Sequence, residues 1–139
     1  MLRKGLRAAV VVAALCMIAF LGGTPASAHT ASVELADEGR ARRDGAAVVT
    51  LLVTCPSGLQ VLEANVSLTQ DGQVFAQSGV AGIRCTGRPQ RVRVMLSPLD
   101  PASGGFAAGS AYASAFVLLL DPATRTTVQA QDAETIVLR

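Results

Sequence analysis

The sequence predicts an all-β sandwich, and three observations lead there. Short runs rich in Val, Leu, Ala and Thr recur about every dozen residues, separated by Gly, Pro, Asp and Ser. No helical periodicity of useful length follows residue 29. Two cysteines, Cys55 and Cys85, bracket most of the β-rich stretch from Val48 to Leu96.

Residues 1–28 read as a cleavable signal peptide. Arg3, Lys4 and Arg7 form a positive start, and Ala8 to Leu21 is an apolar run of 14 residues. Ala26-Ser27-Ala28 then presents the small-x-small site that signal peptidase accepts. The apolar run falls short of the roughly 20 residues that a spanning helix needs. Cys16 follows the bulky Leu15, which does not suit lipoprotein processing, so it reads as one more apolar residue of the signal. Cleavage after Ala28 leaves residues 29–139, which is 111 residues and enough for one domain with one core.

The charge balance changes with cleavage. The whole chain carries 12 Lys and Arg against 10 Asp and Glu. Losing Arg3, Lys4 and Arg7 leaves 9 against 10, a net charge of −1. The basic character belongs to the signal and implies no nucleic-acid or acidic-lipid partner. Every remaining basic residue is arginine, which excludes a catalytic lysine. The two remaining cysteines, in an oxidising exterior, are most simply one disulfide, Cys55–Cys85. Their spacing is not Cys-x-x-Cys, which argues against a redox-active pair.

The strands follow in order. The first covers about Ala31 to Leu35. Asp37 to Arg43 is charged and leads into a turn at Asp44-Gly45. The second, Ala47 to Cys55, sets Val49, Leu51, Val53 and Cys55 on one face and ends at Pro56-Ser57-Gly58. In the third, Leu62, Ala64, Val66 and Leu68 alternate with Glu63, Asn65, Ser67 and Thr69, so one face is buried and the other wet. Asp71-Gly72 signals a hairpin into the fourth strand, Gln73 to Gln77. Gly79 and Gly82 make the next stretch irregular. The fifth strand, Gln90 to Leu96, buries Val92, Val94 and Leu96 and exposes Arg91 and Arg93. Ser97 to Gly109 is a long loop, either functional or mobile, whose one large apolar residue beyond Leu99 is Phe106. The sixth strand, Ala111 to Leu120, is apolar at almost every position, so it is expected at the centre, covered on both sides or by a partner. Thr126 to Leu138 forms the last strand or strand pair, with a phase slip near Asp132-Ala133-Glu134 that suggests a bulge.

About seven strands match the count of an immunoglobulin-like Greek-key sandwich. The chain has no tryptophan to pack on the disulfide, and its cysteines lie elsewhere than in a true immunoglobulin domain. The segments Val-Thr-Leu-Leu-Val-Thr-Cys55-Pro56, Val66-Ser67-Leu68-Thr69-Gln70, Cys85-Thr86-Gly87-Arg88-Pro89-Gln90 and Phe106-x-x-Gly109-x-Ala111-x-Ala113 carry a further likeness. Their layout resembles a group of small secreted β-sandwich proteins of unknown function from high-GC Gram-positive (actinobacterial) bacteria. The resemblance covers most of residues 29–139 and implies an exported β-sandwich. Its motifs concern packing and turns, so it brings no catalytic or binding residue with it.

The candidate chemistry is sparse. His29 is the one histidine and would begin the mature chain, where imidazole and α-amino group together suit copper. Known sites of that kind recruit a second histidine, which this chain lacks. A serine nucleophile would need a base that is absent, and there is no Gly-x-Ser-x-Gly elbow. Asp44, Asp71, Asp100 and Asp121 stand singly in turns, without calcium-loop or glycosidase spacing. Arg84, Arg88, Arg91 and Arg93 cluster near Cys85. Arg91 and Arg93 point to one face, where they can receive a carboxylate or sulfate of a partner or, more simply, protect a strand edge. Asn65-Val66-Ser67 is a chance sequon on a strand. One tyrosine and no tryptophan leave no stacking platform for sugars or bases.

The sequence therefore predicts an exported, non-catalytic interaction module without a cofactor. Its expected partner is a protein or cell-surface group, with no nucleic acid and no membrane span after cleavage. The alternative is an extracellular copper-binding protein using His29.

Overall fold

The computed structural model describes residues 30–139, and they form an all-β sandwich. Its strands are β1 (Ser32–Leu35), β2 (Glu38–Ala41), β3 (Ala47–Thr54), β4 (Gln60–Gln70), β5 (Val74–Gly79), β6 (Gln90–Leu96), β7 (Gly109–Asp121) and β8 (Thr126–Leu138). One layer holds β1, β3 and β6, and the other runs β5-β4-β7-β8. The chain changes layers after β3, β5 and β6, which is the Greek-key pattern of an immunoglobulin-like sandwich. Strand β2 joins the layers at one side, antiparallel to β3 and parallel to β8.

Alternation builds the core. Val49, Leu51, Val53 and Cys55 point inward from the β3 segment, as expected, and meet Ala64, Val66 and Leu68 of β4. Val94 and Leu96 close the β6 side, and Ala113, Ala115, Val117 and Leu119 line β7. The small alanines of β7 let the two layers approach closely. The Asp71-Gly72 hairpin forms as expected. Both residues hold positive φ, 55° and 66°, and Gln73 N–H donates to Gln70 O at 3.0 Å. The sulfurs of Cys55 and Cys85 lie at bonding distance, 2.07 Å. That bond ties the irregular segment 80–89 to the end of β3, where Gly87 N–H also donates to Cys55 O at 2.8 Å.

Several expectations are corrected. The charged stretch after Asp37 does lead into the expected turn at Asp44-Gly45, but Glu38–Ala41 is itself a strand, which brings the strands among the described residues to eight. Backbone pairing on both sides makes it a strand, without any apolar alternation of its own. Leu62 does not share the buried face of β4 but is 52% exposed. A bulge between Val61 and Glu63 takes up one residue, so Val61, not Leu62, keeps the inward phase.

The last strand is single and carries no bulge. Its pairing with β7 runs unbroken from Asp121↔Thr126 to Gly109↔Leu138. Asp132 and Glu134 simply take inward positions in phase with Ala130 and Ile136. Asp132 is tolerated there because its carboxylate accepts Leu35 N–H of β1 at 2.8 Å. The long loop after Ser97 is anchored rather than loose. Phe106 is buried, its N–H donates to Gly45 O at 2.9 Å, and the Gln70 amide bonds both N–H and C=O of Ala107 at 2.9 and 2.8 Å. Strand β7 is central, as expected, and covered on its inner face, but among the described residues nothing covers the outer one.

Candidate functional site: an arginine-lined concavity

The outer face of the β3 layer concentrates positive charge. Alternation turns Val48, Thr50 and Leu52 of β3 outward, and each meets an outward neighbour on β6: Met95, Arg93 and Arg91. On the other side of β3, Arg40 of β2 sits opposite Val48. The turn after β2 adds Arg42 and Arg43. It closes through Arg42 N–H to Ala46 O at 2.8 Å and Gly45 N–H to Arg42 O at 3.1 Å, with Gly45 at φ 87°.

Arg40, Arg42, Arg43 and Arg93 together line a concavity of about 420 Å³ over Ala41 and Val48. Arg42 is held in place, with Nη2 3.2 Å from the Asp44 carboxylate and Nη1 2.9 Å from Met95 Sδ. Among the described residues, no carboxylate lies within ion-pair distance of Arg40, Arg43 or Arg93. Three guanidinium groups thus face solvent around an apolar floor, in a domain whose net charge is close to zero.

The two arginines singled out in the sequence share this face but part company. Arg93 joins the basic concavity, whereas Arg91 borders a smaller one of about 170 Å³ with Glu34, Asp37, Thr50 and Leu52, where charge is mixed. Arg84 and Arg88 belong to the segment beside Cys85 and line neither. Reading residues 37–43 as a turn approach hid Arg40, Arg42 and Arg43. The stretch carries no apolar alternation to mark Arg40 as a strand residue, and Arg42 and Arg43 belong to the turn that follows, so no local pattern reveals the grouping.

The other candidates resolve simply. His29 lies outside the described residues, and among those described no group of three His, Cys, Asp or Glu gathers as a metal site. The turn acids serve their turns: Asp44, Asp100 and Asp121 each accept a backbone N–H two residues on, at 3.1, 2.9 and 3.0 Å. Away from the concavity, Arg139 donates to Glu38 at 2.8 Å; this holds the Glu38 carboxyl below its ordinary value and raises Arg139. No helix among the described residues is long and apolar enough to cross a membrane. Comparison with protein-family models and with curated proteins finds no match to this chain.

Proposed function

We propose that this chain is an exported, non-catalytic interaction module that works outside the cell or at its surface. Its arginine concavity receives an anionic group, carboxylate or sulfate, of a protein or cell-surface partner. One observation carries the reading: four of the nine arginines in the described residues converge on one opening of about 420 Å³, while the domain as a whole is almost neutral. Edge protection needs outward charge on β6 alone and leaves the convergence from β2 and its turn unexplained. The guanidinium fork matches planar or tetrahedral oxyanions, and the volume exceeds what a single oxyanion fills. A disulfide and a signal-like N-terminus support an extracellular setting.

The test is calorimetric titration at low salt with two probes, hexaglutamate peptide and a sulfated oligosaccharide. The double variant Arg40→Ala/Arg93→Ala is expected to weaken binding of the preferred probe roughly tenfold or more, since bonds to charged groups contribute about 1.5–3 kcal/mol each. Arg84→Ala/Arg88→Ala removes the same charge elsewhere and should leave affinity unchanged. Absence of binding to both probes, or equal loss in the two variants, would sink the assignment.

A further inference from the structure

The opposite side of the sandwich has a different character. The outer face of β5-β4-β7-β8 presents Phe75 and Gln77, then Glu63, Asn65, Ser67 and Thr69, then Tyr112 through Leu120 at alternate positions, then Thr127 through Val137 likewise. Glu63 is the one charged side chain among them. The described residues contain four aromatic rings, and three of them, Phe75, Tyr112 and Phe116, lie on this face. Phe106 alone is in the core. Phe75 is 41% exposed and Tyr112 55%. Aromatic rings contribute most to stability when buried, so folding alone does not account for three on a wet face. Depletion of charge with enrichment of aromatic residues is the compositional mark of a protein–protein interface.

We propose that this face docks a second copy of the same chain, forming a two-fold dimer with the sheets face to face. Tyr112, Ser114 and Phe116 are successive outward positions of β7, the central strand. A two-fold axis across the strands at Ser114 sets Tyr112 of each copy over Phe116 of the other, so the pattern is complementary to itself. The same operation carries the two Glu63 side chains, which lie opposite Leu118, to opposite ends. They then stand roughly 26 Å apart along the strands, beyond effective repulsion. A charged partner would find no counter-charge here. The four strands present about 600 Å² per copy, and the resulting 1,200 Å² or so for a pair reaches the lower bound of stable interfaces. This inference does not rest on the arginine reading, since the two faces look away from each other.

Sedimentation velocity on the exported full chain, over a hundredfold range of concentration, tests it. The expected result is a species of twice the chain mass. Ser114→Arg places two cations on the axis and is expected to weaken self-association tenfold or more, with unchanged far-ultraviolet circular dichroism. Thr54→Arg, on the outer side of β3, should leave the dimer intact. If Ser114→Arg does not fold, Gln131→Arg, exposed beside Phe116, makes the same test. A monomer throughout, or a dimer indifferent to both substitutions, overturns the proposal. A monomer whose face binds some other protein overturns it too.

Discussion

Gly39 shows how one residue holds the two layers together. It sits in β2 between β3 and β8, and a Cβ there would fall 2.9 Å from Val48 O and 2.9 Å from Leu138 Cδ2. The leucine can yield, but the carbonyl is backbone in the sheet and cannot. Gly39→Ala is therefore expected to destabilise the fold by about 1–3 kcal/mol, the usual range for overpacking. Chemical denaturation with an unchanged m-value is the measurement, and a loss below about 0.5 kcal/mol would show that β2 stands further from β3. The backbone N–H of Arg139 donates to Gly39 O at 3.0 Å, so the same strand also secures the end of β8.

Among the elements, the segment between β6 and β7 depends on a contact from β4. Gln70 is almost fully buried and satisfies both backbone groups of Ala107. Its amide also reaches Ser110 O at 3.3 Å. Removing it by Gln70→Ala strands buried polar groups, which costs about 1–3 kcal/mol each. The expected signature is local: amide exchange of Ala107 and its neighbours quickens more than that of β7. Uniform quickening would mean that the segment is held by Phe106 instead. Asp132 acts similarly between β8 and β1, and its bond to Leu35 N–H explains why an acidic residue can occupy an inward position.

For the whole molecule, the disulfide and the distribution of charge matter most. Cys55–Cys85 closes a loop with a sequence separation of 30. A loop of that size is expected to contribute roughly 3–4 kcal/mol by restricting the unfolded chain. Cys55→Ser/Cys85→Ser should lower the stability by about that amount while β3 keeps its place; an unchanged melting temperature would refute it. Charge is divided between the two outer faces, arginine-rich on the β3 layer and nearly absent on the β5-β4-β7-β8 layer. If both proposals hold, a dimer carries its two arginine concavities outward, and a repeating anionic partner gains avidity from two-site contact.

The sequence by itself determined the fold class, the inward faces of β3 and β6, the Asp71-Gly72 hairpin and the pairing of Cys55 with Cys85. Each is a local signal: alternation reports burial, glycine permits positive φ, and an even cysteine pair has one partner to choose. The tertiary structure alone decided that Glu38–Ala41 is a strand, that Leu62 turns outward and that Asp132 and Glu134 turn inward. It also brought Arg40, Arg42 and Arg43 to Arg93 and separated Arg91 from them. These depend on register between segments far apart in the chain, where one bulged residue reverses a face and a two-sided backbone pairing makes a strand without an apolar pattern.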